Sequence, residues 1–362
     1  MEGIKHNCGL CVAHTLHDVY GFIKDLQHRG REATGIAAIG DDDITVIKWI
    51  GPVNTFDLKD LGKILSATRY HTFMMHVRYA TRGRKDQLLF DAHPHAIGGE
   101  VTNNGSHIII RGCKMAIVHN GQVDIGRYFP EVELSDLKTG CDTEKLLWIY
   151  KEKGIREILK RIPNSYTLAI ADRNVKGVIV ARDRMGMKPG VIGLKDGKHC
   201  MASEDIALRK NGGEVVENIT PGCIYHLSPD GSVSKEKVVD KEKRHCFFEV
   251  NYIGDVDSII FSLPVRVIRG KLGGRLAIEF SPEDADIVTY LPRCPEVAAM
   301  EYAKEVKVPF VPLFYKMRGE RSFQGSDLAA RVMSIFNNLH LLPGVEEIVR
   351  GKNIIVIDDS IV

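Results

Sequence analysis

The order of strand-like and helical patterns changes once along the chain, near residue 240, and this change most limits the possible folds. Before it, short apolar runs follow one another with few helical patterns between them. Beyond it, strand-like runs and helical patterns alternate, at 284–292, 295–306, 306–314, 326–339 and 352–360. Clustered strands favour α+β sheets covered by a few helices, whereas alternation indicates a parallel, doubly wound α/β sheet.

A highly charged segment, SKEKVVDKEKRH at 234–245, lies at this change. It packs nine ionisable residues into twelve positions, a composition typical of solvated edges and linkers. We therefore predict a domain boundary here, with one domain at 8–240 and a second at 241–362.

The overall composition excludes several classes of protein. An apolar fraction of 44% over 362 residues is enough for a sizeable core, while 49 basic and 47 acidic residues leave a net charge of only +2. Such balance argues against partners held through phosphate backbones or anionic lipid, so neither nucleic acid nor a membrane is expected. No apolar run approaches the roughly 20 residues that cross a bilayer, and no secretory signal opens the chain. We expect a cytoplasmic protein whose eight scattered cysteines are thiols.

Two helices are predicted in the first domain. In DVYGFIKDLQHRG at 18–30, the apolar residues from Val19 to Leu26 recur at helical spacing before Gly30. The second helix is predicted at 142–154, where DTEKLLWIYKEKG also ends on a glycine.

Cys8 is the strongest candidate for a nucleophile. Cys8 and Cys11 formally make a CxxC pair, but the chain lacks the thioredoxin-like pattern of a redox pair and the second ligand pair of a zinc site. A cysteine at a processed N-terminus needs no histidine, because its own α-amine, with a reference pKa of about 8, can accept the thiol proton. Redox and metal-binding interpretations of the CxxC pair stay open as alternatives.

Four motifs follow Cys8-Gly9 in order: LQHRGREATGIA at 26–37, HVRYATRG at 76–83, HNGQV at 119–123 and CDTE at 141–144. Together they resemble the glutaminase domain of the class II glutamine amidotransferases, which are N-terminal nucleophile hydrolases. The resemblance covers about residues 8–240 and implies an αββα sandwich that hydrolyses glutamine. It also implies that residues 1–7 are a propeptide, whose removal would free the amine of Cys8.

Candidate residues for glutamine binding follow from these motifs. Hydrolysis of a carboxamide needs a nucleophile, a proton carrier, a site for the oxyanion and charged groups that hold the amino-acid end. Arg78 offers a planar fork suited to the substrate carboxylate, with the hydroxyl of Thr81 beside it. The resemblance places both in the glutamine pocket, implies that Asp142 binds the α-ammonium, and matches Arg29 near the nucleophile.

Asn120 and Gly121 carry both a local signal and a catalytic one. By resemblance, the Asn120 side-chain amide and the Gly121 backbone N–H stabilise the oxyanion. Asn-Gly between apolar runs is also the strongest short hairpin signal, so we expect a turn and a catalytic donor to coexist here. Other local alternatives are a surface ion pair for Arg78, a helix N-cap for Asp142 and a helix stop for Gly30.

Four later segments indicate which class II amidotransferase family the chain resembles. They are similar to segments of the phosphoribosylpyrophosphate amidotransferase family and read RDRMGMKPG at 182–190, MASED at 201–205, CFFEV at 246–250 and GKNIIVIDDSIV at 351–362. The implied reaction hydrolyses glutamine and transfers ammonia to C1 of phosphoribosyl pyrophosphate. Its product is 5-phosphoribosylamine, in the first committed step of purine synthesis. The implied assembly is a homo-oligomer.

Asp358 and Asp359 follow a strand predicted at 353–357, which we expect to be buried and parallel. Doubly wound sheets bind ligands at the carboxyl ends of their strands, and paired carboxylates there suit a ribose diol and a hydrated Mg²⁺. An isolated acidic turn in solvent is the alternative. The resemblance therefore implies a Mg²⁺-dependent phosphoribosyl pyrophosphate site at this edge.

Lys316, Arg321 and Phe323 resemble the mobile loop that closes over the diphosphate in this family. Glu320 stands where that loop usually has a glycine. We assign Lys316 and Arg321 to the phosphoribosyl pyrophosphate site on this resemblance.

Three features of the second domain depart from the family pattern. Residues 291–295 read Leu-Pro-Arg-Cys-Pro where the family usually has Val-Pro-Asp-Ser-Gly, and Ser334 replaces a lysine. The sequence stops at Val362, before the expected phosphate-binding loop and helix. We expect an incomplete phosphoribosyltransferase-like domain, either a fragment of a longer protein or a relative with an impaired transferase site.

Two other functions stay open. Ammonia could pass to another acceptor, as in hexosamine synthesis, although no sugar-isomerase repeat follows residue 240. The chain could also be an impaired paralogue that serves as a binding or regulatory subunit. Some family members hold an iron–sulfur cluster through four cysteines, but Cys246 matches only the first of these positions, so no cluster is expected.

Overall fold

The computed structural model describes residues 8–66, 69–79, 87–316 and 328–360. It divides into two compact units. The first comprises Met1–Cys246 with Ile259–Ser262, and the second comprises Phe247–Ser258 with Leu263–Val362. Among the described residues, no helix has the length and apolar character needed to cross a bilayer. All eight cysteines are unpaired, which confirms the prediction of free thiols.

Two antiparallel sheets form the centre of the first unit. The first sheet has nine strands in the spatial order β13 (Glu214–Asn218), β11 (Val191–Lys195), β12 (Lys198–Ala202), β1 (Gly9–Ala13), β4 (Thr72–Arg78), β2 (Ala33–Ile39), β3 (Ile44–Ile50), β7 (His107–Cys113) and β6 (Glu100–Asn103). The second has six, in the order β15 (Val233–Lys237), β14 (Cys223–Leu227), β10 (Val175–Arg182), β9 (Tyr166–Asp172), β8 (Met115–Gly121) and β5 (His95–Ile97).

Helices cover the outer faces of both sheets. Three pack on the first sheet, α1 (Leu16–Asp25), α2 (Leu58–Leu65) and α5 (Asp205–Lys210), and two on the second, α3 (Ile125–Tyr128) and α4 (Asp142–Arg161). The inner faces meet in one apolar core, where Leu10 and Val12 of β1 join Val118 of β8 and Val180 of β10. The unit is therefore a four-layered helix–sheet–sheet–helix sandwich, the αββα arrangement that the family resemblance implies.

Burial on both faces explains why the strands read as continuous apolar runs. Along β2, Ala37 and Ile39 face the other sheet, while Ile36 and Ala38 face the helices. Successive strand residues point to opposite faces, so a central strand of such a sandwich needs apolar residues at every position.

The predicted first helix is confirmed, since the four apolar residues of its pattern, Val19, Phe22, Ile23 and Leu26, are fully buried. The second continues to Arg161, beyond the predicted end, although Gly154 has φ of +78° and interrupts the helical backbone. The charged segment at 234–245 is only partly a linker. Its beginning belongs to β15, the edge strand of the second sheet, where one face is solvated and charged residues are tolerated.

The second unit alternates helices and strands. It begins with a π-helical turn at Glu249–Ile253. The elements that follow are β17 (Leu263–Pro264), α6 (Val265–Glu279), β18 (Ile287–Tyr290), α7 (Glu296–Val306), β19 (Phe314–Lys316), α8 (Leu328–Asn338), β20 (Leu339–Leu341), α9 (Val345–Val349) and β21 (Ile354–Ile357). The short strand β16 (Ile259–Ile260) belongs to the first unit. β18 and β21 pair in parallel, and Val288 also makes a parallel bridge to Phe310.

The strand before Asp358 is parallel, as predicted, but it is not buried on both faces. Ile357 packs in the core with Val288 and Tyr302, whereas the side chain of Val356 is 47% exposed. Within the described residues α7 covers one face of the β18–β21 pair, so the alternate side chains of β21 reach solvent. The strand predicted at 306–314 is largely absent. Only Phe310, through its bridge, and Phe314, the first residue of β19, make strand pairing there.

Gly273 sets the distance between α6 and α7. A Cβ atom added at Gly273 would lie 1.9 Å from the carbonyl oxygen of Ala298, so no other residue fits without moving α7. Its neighbour Gly274 has open space, since the nearest atom to an added Cβ is Cγ of Glu305, 3.8 Å away. The two adjacent glycines therefore make a matched pair.

We expect Gly273→Ala to destabilise the second unit by about 1–3 kcal/mol, because overpacking forces α6 and α7 apart. Gly274→Ala should instead stabilise it by roughly 0.5–1 kcal/mol, because alanine loses less backbone entropy in a helix. Urea unfolding of both variants, followed by far-UV circular dichroism, measures the difference. Equal shifts of the two midpoints would contradict the close helix contact.

Candidate active site

Cys8 lies directly before β1, near the middle of the nine-stranded sheet, and is 6% exposed. The Nε of Arg29 donates a hydrogen bond to its carbonyl oxygen at 3.0 Å. Burial raises the pKa of the Cys8 thiol, while the backbone N–H of Tyr79 and the charges of Arg78 and Lys188 act in the opposite direction. A thiol in this setting needs a base before it can attack a substrate.

A buried ion pair holds the backbone at Cys8 in place. Arg29 and Glu204 have fully buried side chains, and Nη1 of Arg29 lies 2.5 Å from Oε1 of Glu204. Nε2 of His28 lies 2.8 Å from the same oxygen. Ser203, next to Glu204, accepts a hydrogen bond from the N–H of Leu10 at 3.0 Å. The MASED segment therefore anchors the backbone at Cys8, through Arg29, and at Leu10, two residues further on.

Gly30 permits a close backbone contact beside Cys8. An added Cβ would lie 2.4 Å from the carbonyl carbon of Arg78 and 2.8 Å from the nitrogen of Tyr79. Gly30 follows a short 3₁₀ turn. Its own φ is −171°, which is extended backbone and not the left-handed conformation in which a glycine often ends a helix. Its absent side chain is what brings the end of β4 against the Arg29 segment.

Arg78 is the last residue of β4 and lies largely buried. Its Nη1 donates to the carbonyl oxygen of Leu88 at 3.3 Å, and its Nη2 lies 3.5 Å from Oδ2 of Asp91. The ion pair is internal, with side chains 11% and 13% exposed, so the surface alternative for Arg78 was wrong. Its charge acts on the thiols of both Cys8 and Cys141. Thr81 lies outside the described residues.

Asn120 and Gly121 end β8 and pair with Thr167 and Tyr166 of β9, so the predicted hairpin turn at Asn-Gly was wrong. An added Cβ at Gly121 would lie 2.2 Å from the carbonyl oxygen of Ser165, which explains the glycine. The Asn120 side chain is fully buried, and neither its Nδ2 nor its Oδ1 has a hydrogen-bond partner within the described part of the chain. A buried amide without partners is costly, and in native proteins such a group requires a bound water, ion or ligand, or has a catalytic role.

Asp142 begins α4, but Cys141 is the residue at the N-cap position, so the N-cap alternative for Asp142 was wrong. Oδ2 of Asp142 accepts the backbone N–H of Val123 at 2.8 Å, two residues beyond Gly121. Its negative charge at the first turn is favourable for the helix dipole. The start of α4 is therefore fixed against the end of β8.

His119 connects the motifs and was missed in the sequence. Its Nδ1 lies 3.0 Å from Oγ1 of Thr143, and its carbonyl oxygen lies 3.1 Å from Nε2 of His76 on β4. Because His76 pairs with Leu10 in the sheet, these contacts join β1, β4, β8 and α4 at one end of the sandwich. The sequence signal that could have indicated His119 is its position directly before Asn120-Gly121, at the end of an apolar strand.

The segment at 182–190 also has a structural role that the sequence did not reveal. The carboxylate of Asp183 accepts backbone N–H groups from Tyr166, Met185 and Gly186, which folds this segment into a tight loop. The loop carries Lys188, whose side chain is buried and whose charge acts on Cys8.

In the second unit, Asp358 and Asp359 follow β21, and residues 291–294 follow the parallel neighbour β18. Both segments therefore share the carboxyl edge of this strand pair. The N–H of Asp359 donates to Oδ1 of Asp358 at 2.8 Å, and burial together with the Asp358 charge raises the pKa of Asp359. Lys316 ends β19, opposite Leu339 in a separate antiparallel pair. Arg321 and Phe323 lie outside the described residues.

Comparisons with known proteins agree with this arrangement. A family model for a glutamine amidotransferase domain matches residues 108–239. An amidophosphoribosyltransferase of Archaeoglobus fulgidus is 31% identical over 358 residues, which cover 95% of this chain and 73% of the relative. The chain belongs to the amidophosphoribosyltransferase family.

Other members of the amidophosphoribosyltransferase family match at similar levels. The one from Mycobacterium tuberculosis is 30% identical over 343 residues, or 93% of this chain, and the chain spans only 63% of that relative's length. A solved structure described as the allosteric regulatory enzyme of purine biosynthesis superposes with a TM-score of 0.79 at 26% identity. That superposition covers 98% of this chain and 75% of the solved one.

We expect Glu204→Gln to destabilise the protein by about 3–5 kcal/mol, because it leaves the buried charge of Arg29 uncompensated. The control is Glu217→Gln, which removes an exposed pair with Lys235 and should cost less than about 1 kcal/mol. Chemical denaturation of both variants checks the difference. A Glu204→Gln variant as stable as the control would show that the ion pair does not hold this site together.

Proposed function

We propose that the first unit is a glutaminase of the N-terminal nucleophile type, with Cys8 as its nucleophile. The observation that carries the proposal is Asn120, a fully buried amide without hydrogen-bond partners among the described residues, at the same end of the sandwich as Cys8. A substrate whose carbonyl oxygen becomes negative would supply the missing acceptor for its N–H.

The proposed mechanism begins with proton transfer from the Cys8 thiol. Because burial raises the pKa of this thiol, a base must lie close to it. We assign the α-amine of Cys8 as that base, after removal of residues 1–7 as a propeptide. The thiolate sulfur attacks the carboxamide carbon, the ammonium passes its proton to the departing amine, ammonia leaves, and water then hydrolyses the thioester to release glutamate.

The remaining residues hold the substrate in this scheme. Asn120 Nδ2 and the Gly121 N–H stabilise the oxyanion, Arg78 binds the α-carboxylate with Thr81, and Asp142 binds the α-ammonium. The long contact of 3.5 Å between Arg78 and Asp91 supports this role, because a substrate carboxylate can replace it with a shorter pair. We assign Arg29 a positioning role, since its contacts are with the Cys8 carbonyl and Glu204.

We propose further that the second unit is a phosphoribosyltransferase-like domain and that the protein forms 5-phosphoribosylamine from glutamine and phosphoribosyl pyrophosphate. The names of its relatives and the position of Asp358 and Asp359 at a sheet edge support this. Two adjacent carboxylates, one exposed and one half-buried, fit a hydrated Mg²⁺, which neutralises diphosphate charge when bound. Lys316 and Arg321 complete the proposed site.

The altered segment at 291–295 favours a second candidate, a glutaminase whose transferase site is impaired. Cys294 in this segment donates a hydrogen bond to the carbonyl oxygen of Tyr252 at 3.4 Å, so its side chain occupies space beside the Asp359 edge. Such a protein would deliver ammonia to another acceptor or act as a regulatory subunit.

We also propose a cytoplasmic location, because eight unpaired cysteines fit a reducing compartment. The family resemblance supports a homo-oligomeric assembly.

We expect Cys8→Ala to abolish glutamine hydrolysis and Asn120→Ala to lower kcat about 100- to 1000-fold. Cys11→Ala is the matched control, because Cys11 is also buried, lies three residues further along the chain in β1, and the variant should keep its activity. Ammonia release measures all three variants. Intact mass of the active protein adds a second check, since activity in protein that retains residues 1–7 would contradict the amine mechanism.

Phosphoribosylamine formation from free ammonia, Mg²⁺ and phosphoribosyl pyrophosphate tests the second unit without the first. Loss of a charge-assisted contact is worth about 1.5–3 kcal/mol, so Asp358→Asn and Asp359→Asn should each lower turnover roughly 10- to 100-fold. Asp284→Asn, at the opposite end of the same strand pair, should leave turnover unchanged. No turnover in the unsubstituted protein, with intact glutamine hydrolysis, would favour the impaired-transferase candidate.

A further inference from the structure

Three metal-ligating side chains converge in the first unit outside the proposed nucleophile and oxyanion groups. The ligand atoms of His93, His95 and Cys141 all lie within 4.8 Å of one another. His93 is 5% exposed, His95 is 3% exposed, and Cys141 is half-buried at the N-cap of α4. We propose that these three residues bind a Zn²⁺ ion.

His95 is already arranged as a metal ligand. Its ring hydrogen bonds to the backbone carbonyl of Asp91, while its Nε2 is buried and has no hydrogen-bond partner among the described residues. The bond to the carbonyl therefore uses Nδ1–H, which leaves the lone pair of Nε2 free. A ring proton fixed by a carbonyl is the usual arrangement behind a zinc-bound histidine.

His93 supplies Nε2, which lies 3.9 Å from Sγ of Cys141. Its Nδ1 accepts only a long hydrogen bond, 3.4 Å, from the backbone N–H of His119. Ligation through Nε2 moves the ring proton to Nδ1, so binding breaks this weak contact, together with the 3.7 Å contact that the Cys141 thiol donates to Oδ1 of Asp142. Cys141 loses its thiol proton to solvent and binds as the thiolate.

The ligand set selects the kind of ion. One thiolate with two imidazoles suits Zn²⁺ and other late transition metals, whereas Mg²⁺ and Ca²⁺ require oxygen ligands. Zn²⁺ takes four ligands, and within the described ranges no fourth His, Cys, Asp or Glu joins the group, so a water molecule completes the site.

The surroundings can accommodate the added charge. Among the described residues, the positive charges of Lys48 and Arg78 and the negative charges of Asp91, Asp142 and Glu144 act on this group. The cysteine thiolate adds one further negative charge. A bound ion would join the segment before β5, which carries the Asp91 partner of Arg78, to the start of α4, which carries Asp142.

Titration of untagged, metal-free protein with Co²⁺ tests the proposal. We expect one equivalent to bind with visible d–d bands and a thiolate charge-transfer band, and Zn²⁺ to displace it. Zn²⁺ should also raise the thermal unfolding midpoint, while Mg²⁺ should not change it.

Cys141→Ser is the decisive variant, because serine is a preferred N-cap residue and should preserve α4. It should lose the charge-transfer band and bind Co²⁺ at least about 100-fold more weakly. His95→Gln should weaken binding as strongly, and Cys8→Ala, which removes the other candidate thiol, should bind normally. If Cys141→Ser binds Co²⁺ as the unsubstituted protein does, or if the band is lost in Cys8→Ala instead, the proposal is wrong.

Discussion

The buried ion pair between Arg29 and Glu204 is the interaction on which the candidate active site depends. Two charges without exposure are stable only when each is fully hydrogen bonded, and here the guanidinium also holds the carbonyl of Cys8. The pair joins a turn after α1 to the segment that follows β12, the neighbour of β1 in the sheet. The position of the sulfur is therefore set by distant segments rather than by its own neighbours in the chain.

The sandwich fold brings other polar groups to the same end of the unit as this ion pair. Its two sheets bury the strands on both faces, so the strand ends are the places where polar groups can gather without disturbing the core. His76 and His119 bridge the two sheets at one such end, and Asn120 follows directly, with an amide that has no hydrogen-bond partner in the part of the chain that the structure describes. A rigid scaffold with polar strand ends permits close control of the donors that a reacting carbonyl meets.

Sequence patterns predicted the features that depend on local spacing. The apolar periodicity of α1 and the strand runs follow from neighbouring residues. Asn120-Gly121 was wrongly predicted as a turn, because its partner strand begins more than forty residues later, at Tyr166. Glu204 and His119 were missed for the same reason. Glu204 pairs with Arg29, 175 residues away in the sequence, and His119 contacts His76, 43 residues away, so neither contact leaves a local signal. In the second unit, exposure of Val356 depends on which neighbours cover the sheet, which spacing does not encode.

The hydrogen-bonding groups of the Asn120 amide affect whether glutamine or glutamate binds more tightly. Its NH₂ group donates hydrogen bonds and its carbonyl oxygen accepts them, and a carboxamide can satisfy both because it also carries a carbonyl oxygen and an amino group. A carboxylate has only acceptor oxygens, so it would face the carbonyl of Asn120 with like partial charges. Under the proposed chemistry the pocket thus favours glutamine over glutamate, and each turnover converts a well-matched occupant into one that is expelled.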